Sequence, residues 1–170
     1  FKYYDASEDN ITVLENSYTF EINQVLGNVN CPFPPNGGFP IDFCYHSSSQ
    51  QAFYFITTVI INGVLIDTHD WVGAFNGDIC VGARRWDTIL CNGTCDVPVL
   101  GNDGSEYTTG YMANGVIPSF KIYDASNDVY LDATPSEEFP WTINGLFVTD
   151  SIESACNPPL EIDDCGVCGG

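Results

Sequence analysis

Cations are scarce in this chain. Lys2, Arg84, Arg85 and Lys121 are its only four, set against 23 acids, for a formal net charge of −19 over 170 residues. Nucleic-acid phosphates and anionic bilayers are held by clustered Lys and Arg, so both are excluded as partners. Histidine is rarer still: His46 and His69 stand singly and far apart, leaving no His-Glu-x-x-His helix and no His pair at zinc spacing. The sequence also lacks a Gly-x-Ser-x-Gly elbow and a glycine-rich phosphate loop. No apolar run approaches the roughly 20 residues that cross a bilayer, and the longest, Ala52 to Ile61, has the composition of a strand. That argues against membrane insertion. There is no signal peptide and no initial Met, which suits a processed subunit or an excerpt of a longer polypeptide.

What remains is enough to fold. Hydrophobic residues make up 44% and aromatics 14% of the chain, sufficient for one ordinary core. Eight cysteines, one Met and frequent Gly, Pro, Ser, Thr and Asn point to an oxidising compartment. Two Asn-x-Ser/Thr sequons, at Asn10 and Asn92, fit exposed parts of a secreted glycoprotein. The location expected is secreted, extracellular or at the cell surface.

Helical periodicity is nearly missing. Runs of five to eight residues rich in Val, Ile, Phe, Tyr and Thr recur, bounded by Gly, Asn, Asp or Pro. They predict strands over 52–61, 64–66, 71–75, 79–83, 97–100, 119–123, 129–133, 141–143 and 146–148. Asn76-Gly77 between two of them predicts a type I′ hairpin. Strands this short and this regularly spaced imply an all-β fold, a β-sandwich of immunoglobulin-like or jelly-roll connectivity. Trp71, Phe75, Phe120, Ile122, Trp141 and Phe147 are the expected core. Trp86 and Tyr111 fall in predicted loops, where they and Tyr107 would form an exposed aromatic platform for glycans. That is the basis of an alternative, lectin-like reading.

The sequence also repeats itself. Phe1–Asp9 matches Phe120–Asp128 at seven of nine positions, Ile22-Asn23 echoes Ile143-Asn144, and Cys31 falls where Cys156 does. The offset is 119 residues at the first match and 125 at the last, so the repeating unit is a domain. The expected organisation is the trailing half of one repeat at 1–31, a Pro/Gly/Cys linker at 32–49, a complete domain at 50–155 and a Cys/Gly-rich linker at 156–170. Phe1, Tyr3, Phe20 and Ile22 would then lie on strands whose partners come from elsewhere, by strand donation or from an adjoining repeat.

The run Asp70-Trp71-Val72-Gly73-Ala74-Phe75-Asn76-Gly77-Asp78-Ile79-Cys80-Val81-Gly82, followed by Phe120-Lys121-Ile122-Tyr123-Asp124-Ala125, resembles a repeat module of large bacterial secreted and surface proteins. The resemblance covers about residues 52–150. It implies an extracellular β-sandwich with a structural or adhesive role and no catalytic set. Asp164-Cys165-Gly166-Val167-Cys168-Gly169-Gly170 is similar to the units of Cys- and Asp-rich stalks, without the Ala those units carry.

Because the two copies should fold alike, the repeat suggests pairing Cys31 with Cys44, and Cys156 with Cys168 or Cys165. A loop of that length closed by a disulfide contributes about 3 kcal/mol in the chain-entropy model. Cys91 and Cys95 are spaced to close a tight loop, although Cys80 competes for either. Cys165-x-x-Cys168 has zinc-knuckle spacing, but no second pair completes a site, and no βαβ pattern supports a redox role.

Calcium is the only cofactor the acids suggest. Asp124 and Asp128, which recur as Asp5 and Asp9, either cap their turn or hold calcium. Asp103 and Glu106, in a loop short of EF-hand spacing, are the next candidates. Asp67, His69, Asp70 and Asp78 could gather as a glycosidase pair, but a solvated turn is the preferred reading, and no enzyme is expected. Arg84 and Arg85 either dock on a neighbouring copy's acids or form local ion pairs. The function these features suggest is a structural subunit or tandem repeat of an extracellular filament, stalk or adhesin, with copies of itself as partner.

Overall fold

The structure is a computed structural model and describes residues 2–5, 10–13 and 40–154. It is all-β. β1 (Lys2–Asp5) and β2 (Asn10–Val13) form a two-stranded antiparallel sheet. A second, eight-stranded sheet holds β3 (Gln51–Ile61), β4 (Val64–Leu65), β5 (Trp71–Asn76), β6 (Ile79–Arg85), β7 (Cys95–Leu100), β8 (Ser119–Asp124), β9 (Val129–Pro135) and β10 (Leu146–Ser154). Its order is β4-β3-β10-β9-β8-β5-β6, with β7 added to β3. The sheet is mixed because β10 runs parallel to β3 while every other pairing is antiparallel.

The sheet is also curled. β9 pairs with β8 from Val129 to Ala133 but touches β10 only at Thr134 and Pro135, so it turns from one part of the sheet to the other. At the opposite end β6 comes back over β7. There Arg84 Nε donates to the Asp96 carbonyl at 2.6 Å, and its terminal amino group bonds the Asp96 carboxylate at 2.7 Å. The approach is close enough that a Cβ on Gly82 would stand 1.7 Å from the Pro98 carbonyl oxygen.

Both faces of the β5–β6–β8 region are covered. Inside the curl, Ala52, Tyr54, Ile56 and Val59 from β3 meet Val72, Ala74, Val97, Val99, Phe120, Ile122, Trp141 and Ile152. Full burial of one such side chain is worth about 1.5–3 kcal/mol. On the other face a smaller cluster gathers Phe75, Cys80, Ala83 and Tyr123 around Phe43. Phe43 sits edge-on to Phe75, Tyr123 and Tyr130 at 5.6, 6.5 and 5.5 Å between centroids. Residues 40–49, which composition assigns to a linker, are therefore packed against the sheet. Their backbone is tied on as well: His46 N–H donates to the Tyr111 hydroxyl at 2.6 Å, and Ser48 Oγ donates to the Gly101 carbonyl at 2.6 Å.

Turn chemistry follows sequence at one hairpin and departs from it at another. Between β3 and β4, Asn62 and Gly63 occupy the two central positions with φ of 51° and 81°, the positive pair that a type I′ turn needs. Between β5 and β6, Asn76 pairs with Ile79, so the turn lies on Gly77-Asp78, one residue later than expected. Only Gly77 has positive φ there, which corresponds to type II′ and not type I′. A bulge at Ala74/Phe75 accompanies the shift.

The repeat is visible in strand pairing. β8 and β9 pair Lys121 with Asp132, Ile122 with Leu131, Tyr123 with Tyr130 and Asp124 with Val129. β1 and β2 pair Lys2 with Val13, Tyr3 with Thr12, Tyr4 with Ile11 and Asp5 with Asn10. The two registers coincide at the 119-residue offset of the sequence match.

Candidate functional site

Of the four acids singled out as calcium candidates, Asp124, Asp128 and Asp103 accept hydrogen bonds from the protein's own donors. In the β8–β9 turn, Asp124 accepts from Ser126 N–H, Ser126 Oγ, Asn127 N–H and Asn127 Nδ2 at 2.7–3.1 Å. Those bonds hold its carboxyl below the ordinary range against the opposing effect of burial. Asp128, at φ 54°, accepts the Tyr123 hydroxyl at 2.8 Å. Asp103 ties the 101–112 loop to residue 49: it accepts Ser49 N–H at 2.9 Å, Ser49 Oγ at 3.2 Å, Ser105 N–H at 3.1 Å and Thr108 Oγ1 at 2.8 Å. Glu106 is exposed and opens the short 3-10 turn at Glu106–Thr108. Among the described residues no group of three or more His, Cys, Asp or Glu is placed to hold a metal ion.

Asp103 gives a pH-dependent expectation. The Ser49 backbone N–H, followed by Thr108 and Ser105, lowers its carboxyl well below its ordinary value of 3.8. A depressed folded value means the stabilisation is present above 3.8 and is lost as pH falls through the folded value. Asp103→Asn should lower the melting temperature at neutral pH, and the gap from the parent should close on acidification. A gap that stays constant down to about pH 2 would show that the carboxylate charge plays no part.

Asp70 is the one buried carboxylate among the described residues. It accepts Asp67 N–H at 2.6 Å and Ala125 N–H at 2.9 Å, while its carbonyl accepts Trp86 N–H at 2.7 Å. Burial pushes its carboxyl up, opposed by the Ala125 and Asp67 donors. Asp70 thus joins the turn before β5, the β8–β9 turn and the exit of β6. Asp67 is exposed and pairs with His69 Nδ1 at 2.8 Å. Asp78 lies at the far end of β5, beside Asp42 and Lys121, so the four residues considered for a glycosidase do not form one cluster.

The aromatic platform is absent at the expected positions. Trp86 and Tyr111 are buried in the main core, because the segments that carry them fold over the curl. Only Tyr107 is exposed, at 62%, beside the His46 ring.

The cysteines divide clearly. Cys91 and Cys95 are disulfide-bonded, and Cys44 is also in a disulfide. Cys80 is a free thiol, buried, with its pKa pushed up to about 12 by desolvation. Cys31, Cys156, Cys165 and Cys168 lie outside the described residues, as do Phe1, Phe20 and Ile22. Asn10 and Tyr3 are described only as backbone in β2 and β1.

Two grooves remain. One, of about 960 Å³, runs between β9 and β10 and is lined by polar groups including Asn62, Asp132, Ser136 and Glu153. The other, of about 360 Å³, lies between Tyr45, Trp71, Arg84, Arg85, Leu90 and Pro98. Protein-family models, curated proteins and solved structures offer no match to this chain. Any functional reading of these surfaces therefore rests on their own chemistry. Among the described residues, no helix is long and apolar enough to cross a membrane.

The second groove holds what sequence reasoning missed. Leu90 lines it, and Ile89 is the residue before, both in the segment that leads into the Cys91–Cys95 disulfide. They show no strand or helix period, and their only signal is an apolar pair stranded between Asp87 and Cys91.

Proposed function

We propose that this chain is a repeat-built structural segment of an extracellular filament, stalk or adhesin. The observation that carries the reading is the shared register of β1–β2 and β8–β9 at the spacing of the sequence repeat. Duplicated units of this kind build extended objects by nearest-neighbour contact. In the second copy the hairpin is flanked by β5 and β10; among the described residues β1 and β2 pair only with each other. On this reading an adjoining unit, along the polypeptide or from a neighbouring subunit, would supply the strands equivalent to those flanks. The disulfides at Cys91–Cys95 and Cys44 suit the oxidising exterior that such an object occupies. The resemblance of residues 52–150 to secreted repeat modules points the same way.

Electron microscopy of the native material tests this. Fibres or stalks with an axial repeat of domain size are the expected image. Isolated globular particles at all concentrations would remove the reading.

A further inference from the structure

A chain of charge −19 repels its own copies, so a contact between copies needs a surface where that repulsion is relieved. Lys121 is engaged by Asp132 at 2.5 Å and Arg84 by Asp96 at 2.7 Å. Arg85 is different. Its Nε donates to the Thr68 carbonyl at 2.8 Å, and it forms no ion pair with a described carboxylate, so its exposed guanidinium remains available.

Beside it stand the two most exposed large apolar side chains among the described residues, Ile89 at 84% and Leu90 at 83%. Leu90 and Arg85 line the same groove, whose walls include Tyr45 and Trp71. The disulfide Cys91–Cys95 anchors the chain directly after them, and Gly93 N–H donates to the Thr88 carbonyl at 2.9 Å across their segment. That segment is braced by Asp87, whose carboxylate accepts Ile89 N–H at 3.2 Å and whose carbonyl accepts Leu90 N–H at 3.0 Å. A pre-ordered apolar tip costs little entropy on docking, and an adjacent cation selects an acidic partner.

The geometry points to Arg85 with the Ile89–Leu90 tip as the surface through which one copy of this domain holds an acidic face of a second copy. This rests on the reading of the chain as an assembling repeat. The second copy is the occupant because its excess of acids over cations supplies the complementary charge, and because the chain itself carries repeated units.

The test compares the parent chain with Arg85→Glu, with Arg85→Lys and with the double variant Ile89→Ser/Leu90→Ser. All carry Asn92→Gln, so that no glycan occupies the same loop. Sedimentation velocity over a concentration series, with electron microscopy of the same samples, reads the assembly. Parent and Arg85→Lys should associate, while the other two should need at least about 10-fold higher concentration at unchanged melting temperature. If they assemble like the parent, the surface is wrong and the filament reading stands. If the parent itself stays monomeric and forms nothing periodic, the filament reading falls and this inference with it.

Discussion

Replacing Trp141 by Ala should cost about 4 kcal/mol of unfolding free energy, within the range of a buried Trp truncation. Trp141 is fully buried in the main core. Its indole N–H donates to the Val99 carbonyl of β7 at 2.9 Å, and a Cβ at Gly101 would lie 2.3 Å from its ring, so the ring packs directly on the Gly101 backbone and its removal opens a cavity there. Its backbone also bonds the 113–116 segment, donating to the Val116 carbonyl at 2.8 Å and accepting from Gly115 N–H at 2.9 Å. Against a typical net stability of about 5–15 kcal/mol, this one ring decides whether the domain stays folded under mild stress. Trp141→Phe keeps most of the volume but strips Val99 of its donor, and should cost about 1–3 kcal/mol. Chemical denaturation of both variants separates packing from hydrogen bonding. A loss below about 1 kcal/mol for Trp141→Ala would mean the site collapses freely, contrary to the close approach at Gly101.

The burial of Trp141 was legible in the sequence, although the strand expected over 141–143 does not form and Trp141 lies in the connection between β9 and β10. β3 was legible for a stronger reason: an unbroken β-branched and aromatic run ended by Asn62-Gly63 has the composition of a strand, and the structure then alternates its burial from Ala52 to Ile56. Trp86 and Tyr111 were not, because their burial depends on how the connecting segments lie over the curl, and no local period records that. The position of residues 40–49 was hidden by composition. Pro and Gly read as linker, yet Phe43 finds a ready pocket among Phe75, Tyr123 and Tyr130 only once β5, β8 and β9 are side by side. Arg84 and Arg85 are adjacent in sequence, and strand alternation sends them to different fates, one paired with Asp96 across to β7 and the other outward. The repeated turn acids were recognisable as a pair of copies, but the donors that Ser126 and Asn127 turn on Asp124 are visible only in three dimensions.

Gly82→Ala should be nearly as damaging, for a purely steric reason. Gly82 lies in β6 without positive φ, so Ala suits its backbone conformation. What opposes Ala is the Pro98 carbonyl, 1.7 Å from where the new Cβ would sit, with the Pro98 carbonyl carbon at 2.8 Å. These are backbone atoms of a strand that pairs with β3 along its length from Cys95 to Leu100. They cannot swing aside as a flexible side chain would, so β6 and β7 must separate. That separation strains the Arg84–Asp96 bonds and loosens Val81, Val97 and Val99 in the core. A cost of about 3 kcal/mol is expected, the upper part of the overpacking range. Gly63→Ala is the control: its φ of 81° disfavours Ala, but a Cβ there meets nothing within 4 Å, and it should cost about 1–2 kcal/mol. If denaturation ranks Gly63→Ala as the worse of the two, β6 and β7 do not meet as closely as the sheet's curl requires. The closure would then rest on the Arg84–Asp96 pair, and Arg84→Ala, not Gly82→Ala, would be the substitution that opens the fold.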